Sequence, residues 1–208
     1  MELKYNEILN RLQDHYGSPQ TALNFNNPLQ LLIATILSAQ CTDERVNLIT
    51  PKLFETYQDA KAFAKADIKQ LQGLIKTCGL YRNKSKFIKS ACNDIVNKYN
   101  GDVPDNRKDL ESLAGVGRKT ANVVLANVFG KQAIAVDTHV YRVSKRLGFS
   151  DGKNVLEVEK DLMEKVPKNL WADAHHWLIY HGREICKARK PKCDSCYLND
   201  LCKYYKNS

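Results

Sequence analysis

The chain has 208 residues, a formal net charge of +9 and 43% hydrophobic residues, enough for one generous globular domain or two modest ones with a real core. The N-terminal MELKYNEILNRLQDHYG is too polar for a signal peptide, and the most apolar stretch, Leu29 to Ala39, is too short to span a bilayer and carries Gln30, Thr35 and Ser38. The expectation is a cytoplasmic or nucleoid-associated protein with no membrane partner, whose cationic excess suits a polyanion, nucleic acid first, or else merely a solvated basic surface.

Almost every segment reads as helix. Tyr5, Ile8, Leu9 and Leu12 recur at helical spacing, and Gly17 and Pro19 end the run. NNPLQLLIATILSAQ opens with Asn27 as an N-cap and Pro28 at the first helical position. Its apolar residues run nearly all round, which predicts a central helix. In TDERVNLITPKLFETY, Thr42 or Asp43 is the cap and Val46, Ile49, Leu53 and Phe54 form the apolar stripe. Pro51 inside it predicts a kink or a split. Short helices follow over 60–66 and 67–76, then a break at CGLYRNK. Phe87, Ile88, Ala91, Ile95 and Val96 mark the next helix, which Asn100-Gly101 ends.

A short helix over 107–113 leads into glycines 115 and 117, and another over 119–129 stops at Gly130. KQAIAV is the one fair strand candidate and has no obvious partner. Helices over 138–147, closed by Gly148, then 155–166 and 168–181 complete the chain. With no alternating strand pattern of useful length, the expected fold class is all-α. No repeat of fixed period is present, and composition marks no domain boundary.

LAGVGRKT joins two helix patterns through a few residues. Gly115 and Gly117 can take positive φ without a Cβ penalty, as a tight turn requires. The same turn leaves backbone N–H groups uncovered at the start of the next helix, where the macrodipole suits a phosphate oxygen. Such a contact grips a strand without reading bases. Val116 is expected to pack back into the hairpin. The plainer reading is an ordinary helix connector. Lys119 and Thr120 follow at once, and Asp137 stands ahead of another helix in AVDTHVYRV. A lysine is a nucleophile only as the neutral amine, and a carboxylate in reach can take its proton or steady a cation on a sugar. Taken singly, the lysine reads as a phosphate contact and the aspartate as an N-cap.

Cys186, Cys193, Cys196 and Cys202 stand in a C-x6-C-x2-C-x5-C pattern. Four thiolates in one loop bind a soft metal centre. Spacing alone leaves two fillings open: structural zinc, usually built from two C-x2-C pairs, or an iron–sulfur cluster, which tolerates single cysteines at wider spacing. The intervening KARKPK touches DNA phosphates or offsets an anionic cluster. Cys41, Cys78 and Cys92 stand apart and should remain thiols in a reducing setting, and the sequence assigns Cys41 no chemical task. Gln40, in LSAQCTD, and Leu80, in KTCGLYRNK, lie between helices; read singly they are a helix-end glutamine and a buried leucine. Asp43 borders the Gln40 turn. His139 lies two residues after Asp137, where a phosphate contact is conceivable; His15, His175, His176 and His181 read as structural or exposed.

Taken together, LAGVGRKTANVV and VDTHVYRVSKRLG resemble the endonuclease III family of helix–hairpin–helix DNA glycosylases, and the resemblance covers nearly the whole chain. It implies two helical lobes: a six-helix barrel over 21–131 with the hairpin at 107–129, and a second lobe of 1–20 plus 132–208 with a cluster loop at 186–202. A DNA-binding cleft would lie between them, with Lys119 and Asp137 facing it. The resemblance implies that Lys119 attacks C1′ while Asp137 assists, that the four cysteines hold a 4Fe–4S cluster, and that Gln40 and Leu80 enter the base stack when a nucleotide is flipped out. Gly115, Gly117, Thr120 and His139 would contact the backbone. The implied activity is removal of oxidised pyrimidines from duplex DNA, with strand cleavage 3′ to the abasic site by β-elimination, in a monomer. The rival readings are a monofunctional mismatch glycosylase and, in another class, a non-catalytic DNA-binding module. Mismatch glycosylases of the superfamily generally lack the lysine and carry a further C-terminal domain.

Overall fold

The computed structural model describes residues 2–207, and among them every regular element is helical. In order these are α1 (Glu2–Tyr16), α2 (Pro28–Ser38), α3 (Asp43–Thr56), α4 (Ala60–Lys65), α5 (Ile68–Leu74), α6 (Tyr81–Lys98), α7 (Arg107–Ser112), α8 (Arg118–Asn127), α9 (Thr138–Leu147), α10 (Val155–Lys165), α11 (Trp171–Glu184) and α12 (Lys203–Lys206). A single 3-10 turn, Lys168–Leu170, precedes α11. The fold is all-α. The chain divides into two compact units, Met1–Gln20 with Lys131–Ser208, and Thr21–Gly130. Among the described residues no helix is long and apolar enough to cross a membrane.

In the Thr21–Gly130 unit α2 is central. Asn27 caps it by accepting from Gln30 N, Pro28 occupies its first turn, and Leu31 to Leu37 are buried without interruption. The five large aliphatic side chains in that run contribute roughly 1.5–3 kcal/mol each by burial, an upper estimate because the unfolded chain already hides some of this surface. Helices α3, α6 and α8 pack around it.

Three readings that the sequence left open are decided in and beside this unit. Pro51 neither splits nor ends α3, which runs unbroken through it. Pro51 is exposed, so its ring occupies the solvent side of the helix and displaces no core side chain. Thr42, not Asp43, caps α3, its hydroxyl accepting from Arg45 N at 3.3 Å; Asp43 is a first-turn acid that favours the dipole. KQAIAV forms no regular element and pairs with no strand among the described residues. Its buried Ala135 carbonyl accepts instead from His175 Nδ1 at 2.6 Å.

In the other unit, Ile8, Leu9 and Leu12 of α1 meet Val140, Val143 and Leu147 of α9, Phe149, and Trp177 and Leu178 of α11. Trp177 is wholly buried, and its indole N–H finds a carbonyl partner, Gly17 O at 2.8 Å. Helix α9 has the boundaries its end signals require: Asp137 caps the start and Gly148, at φ 93°, closes the end in the left-handed region.

Candidate nucleic-acid interface and cluster loop

The α7–α8 hairpin is built by local rules. Asn106 caps α7 by accepting from Asp109 N, and Leu113 N and Val116 N each close a tight turn on the carbonyl three residues back. Leu110, Leu113 and Val116 are buried, so the hairpin has its own apolar floor, with Val116 as expected. Arg107 Nε donates to Asn122 Oδ1 at 2.9 Å and braces the two helices. Gly115 sits at φ +78°, and a Cβ there would stand 2.7 Å from Phe87 Cβ; here glycine is required both by backbone and by space. Gly117 differs from expectation. Its φ is −93°, ordinary extended backbone, and nothing lies within 4 Å of a built Cβ. It is the N-cap of α8 and supplies no side-chain cap bond, so its contribution is an uncovered approach to the first turn. Lys119 is exposed on that turn, and Thr120 is half-buried beside it.

Two further turns in the same unit hold bulky residues in the left-handed region: Gln40 at φ 55° and Leu80 at φ 59°. For non-glycine residues this costs about 1–2 kcal/mol each, and such strain gathers at functional sites. Both side chains are exposed. Leu80, expected on the plainer reading to be buried, is 56% exposed and serves as the N-cap of α6, with its carbonyl accepting from Asn83 N and Lys84 N. Between the turns lies a contact that the sequence did not signal: Cys41 Sγ is 3.4 Å from Cys78 Sγ.

In the Met1–Gln20, Lys131–Ser208 unit, Asp137 does cap α9, but with one oxygen. Oδ1 accepts from both His139 N and Val140 N at 2.8 Å. Oδ2 takes neither bond, so the carboxylate is fixed in orientation while one oxygen stays available. His139 Nδ1 lies 3.3 Å from Arg142 Nη2. A guanidinium only donates, so Nδ1 accepts and Nε2 carries the N–H. Arg142 is itself held by Gly182 O at 2.9 Å and Cys186 O at 3.1 Å.

The four C-terminal cysteines line one small pocket, with Leu147, His181, Ile185 and Tyr204. Burial first, then the charges of Cys186 and Cys202, pushes the Cys193 thiol up; burial likewise raises Cys196, with its three cysteine neighbours adding to it. Thiols raised in this way, as at Cys193 and Cys196, need a cation before they ionise. The pocket lining carries four thiols and no carboxylate, the donor set of a soft metal centre. Arg146 fastens the loop, donating to Lys187 O at 2.7 Å and Ala188 O at 3.2 Å, with Nη1 3.5 Å from Cys186 Sγ. The KARKPK excursion is pinched at its base, since Lys187 N and Lys192 N both donate to Ile185 O. His181, read from the sequence as structural or exposed, is buried with Nε2 3.8 Å from Cys196 Sγ, and burial lowers its pKa to about 4.

Comparison with known proteins agrees with this architecture. Residues 33–168 match the model of the HhH-GPD superfamily base excision DNA repair proteins, and residues 186–202 match that of the iron–sulfur binding domain of endonuclease III. Endonuclease III of Haemophilus influenzae is 51% identical over 198 residues, 95% of this chain and 94% of the relative. The chain belongs to the endonuclease III family. The Escherichia coli K12 endonuclease III is 49% identical over the same shares of the two chains. A solved structure of a trapped endonuclease III–DNA covalent intermediate superposes with a TM-score of 0.94 at 46% identity, covering 100% of this chain and 98% of that one. As an endonuclease III family member the protein is a bifunctional base-excision enzyme, DNA glycosylase and abasic-site lyase; it has DNA as its partner and a 4Fe–4S cluster as its cofactor. Neither a monofunctional mismatch glycosylase nor a non-catalytic module is favoured.

Proposed function

We propose that Lys119 is the nucleophile and Asp137 its acidic partner, acting on oxidised pyrimidines and abasic sites in duplex DNA. The observation that carries this reading is the exposed lysine on the first turn of α8, directly after a hairpin whose Gly115 is conformationally obligatory and whose Gly117 leaves the helix start uncovered. In this reading the hairpin N–H groups hold a phosphate. The deprotonated Lys119 Nζ bonds to C1′ as the damaged base departs with its electron pair; the C1′–O4′ bond of the resulting aminal then breaks, O4′ takes up a proton, and the amine and sugar carbon become an iminium. The iminium acidifies the C2′ proton; its removal expels the 3′ phosphate and cuts the strand. Asp137, held by Oδ1 alone, offers Oδ2 for the proton or for the developing cation.

Gln40 and Leu80 enter the stack and fill the space of the flipped nucleotide. Their exposure and left-handed backbone support this, because a side chain held out by its own strained backbone needs no rearrangement before insertion. Gly115, Gly117, Thr120 and the Nε2–H of His139 contact the backbone. Cys186, Cys193, Cys196 and Cys202 hold the cluster. When bound, it supplies a four-point cross-link of the C-terminal loop with every protein position on the metal filled by thiolate. The 21–131 and 1–20 plus 132–208 segments are the two functional lobes, and the enzyme acts as a monomer on nucleoid DNA in the cytoplasm.

Borohydride trapping on an abasic-site duplex tests the central step. The wild type should give a covalent adduct, and Lys119→Gln should give none while still binding the duplex. Undiminished trapping in that variant removes Lys119 from the role. Release of base from single-lesion duplexes bearing oxidised pyrimidines, against duplexes with a mismatched thymine or adenine, tests the substrate class.

A further inference from the structure

We propose that Cys41 and Cys78 form a dithiol modification site, which a low-molecular-weight disulfide converts to an intramolecular disulfide that ties the Gln40 turn to the Leu80 turn and weakens DNA binding. The effect on DNA rests on the proposed insertion of Gln40 and Leu80; the chemistry of the pair does not.

The geometry is specific. The two sulfurs are 3.4 Å apart, although 37 positions separate them in sequence. A disulfide requires about 2.05 Å, so the sulfurs need to close by roughly 1.4 Å. Cys41 directly follows Gln40 and is half-buried, within reach of a small solute; Cys78 is buried and stands two residues before Leu80. The turns already touch, for a Cβ built on Gly79 would lie 3.2 Å from Gln40 O. Nothing in the glycosylase or lyase chemistry uses either sulfur. Burial pushes the Cys78 thiol up to about 12, outweighing the attraction of the Lys84 and Arg45 cations. Cys78 therefore waits as a thiol, and Cys41 is the sulfur that meets the oxidant. Cys92, wholly buried in α6, is the internal control.

The step balances as thiol–disulfide exchange. The Cys41 thiolate attacks one sulfur of R–S–S–R, that S–S bond breaks, and one thiolate leaves. Cys78 gives up its proton and attacks the Cys41 sulfur of the mixed disulfide, expelling the second thiolate. The protein pair loses two electrons and two protons, and the small disulfide becomes two thiols. The product joins two turns that present Gln40 and Leu80 separately to the duplex, and pulls their backbones together. Excess small thiol reverses it.

The test uses the holoprotein, titrated anaerobically with glutathione disulfide, quenched by alkylation and mapped by mass spectrometry. The expected result is a 41–78 cross-linked peptide with Cys92 unoxidised and the cluster absorbance near 400 nm (about, as for thiolate-bound iron–sulfur centres) unchanged. Affinity for a duplex with a tetrahydrofuran abasic analogue should fall at least tenfold and return on adding dithiothreitol. Cys41→Ser should bind the duplex normally and show neither change. No cross-link at any glutathione ratio, or glutathionylation that stops at Cys41, overturns the site. A cross-link with unchanged affinity overturns its effect on DNA. Gln40→Ala and Leu80→Ala, measured in the reduced enzyme, keep the two ideas apart: if both bind the duplex as tightly as wild type, the insertion reading fails, while the peptide map still decides the dithiol.

Discussion

Gly115→Ala separates the architecture of the hairpin from its chemistry. At φ +78° an L-residue costs about 1–2 kcal/mol. The new methyl would meet Phe87 Cβ at 2.7 Å and two ring carbons at 3.0 and 3.1 Å. Overpacking of that kind costs about 1–3 kcal/mol. Phe87 is 43% exposed and its ring can swing outward, but the nearest atom is Cβ, which is fixed to the backbone of α6 and can move only with the helix. The total is roughly 2–5 kcal/mol, which should lower Tm by roughly 9–20 °C for a unit of this size. Thermal unfolding followed by circular dichroism reads it directly. Gly117→Ala is the matched control: ordinary φ and open space predict a stability within about 0.5 kcal/mol of wild type, yet weaker binding of an abasic-analogue duplex, because its methyl stands before the first turn of α8. A Gly115→Ala protein as stable as wild type, or a Gly117→Ala protein equally damaged, would refute the assignment of conformational need to the first glycine alone.

Asp137→Asn keeps an N-cap of nearly equal quality, so stability should fall by less than about 1 kcal/mol, while single-turnover base release falls at least a hundredfold; equal activity would reduce Asp137 to a cap. Arg146→Met removes the donors that hold Lys187 O and Ala188 O, and iron loss to a chelator should accelerate about tenfold or more, with Arg146→Lys intermediate. An unchanged rate would show that the cluster loop holds itself. Burial raises the Cys92 thiol from 9.0 to about 12. The folded state thus resists ionisation that the unfolded chain accepts. The stability it protects is complete below pH 9.0 and is lost between there and about 12. In urea titrations wild type should lose up to about 4 kcal/mol more than Cys92→Ala over that window; parallel losses would contradict the burial argument.

The fold was legible where its signals are local. Asp137 and Gly148 mark both ends of α9, and Asn27-Pro28 marks the start of α2, because capping is decided within a few residues. Pro51 did not split α3, because what a proline does to a helix depends on the face it occupies, and that is tertiary. KQAIAV carries strand-forming residues, yet its buried carbonyl is satisfied by His175, 40 positions away. Both glycines of the hairpin look alike in sequence, but only Gly115 has a neighbour, Phe87, that forbids a side chain. The candidate residues were legible through family resemblance, since no periodicity reveals a nucleophile. The Cys41–Cys78 contact and the approach of His181 to Cys196 were not legible, because each joins segments remote in sequence.

The unit that contains the cluster loop is discontinuous: Trp177 and Tyr180 of α11 bond to Gly17 O and Gln20 O. During synthesis α1 leaves the ribosome before α9 and α11, and its docking is incomplete until α11 emerges. At about 5–20 residues per second, that delay is roughly 8–30 s. The Thr21–Gly130 segment can condense in the meantime, whereas the first helix waits as an exposed amphipathic tail. Completion of this unit therefore waits for α11, and the cluster loop that follows α11 is made after the Thr21–Gly130 segment.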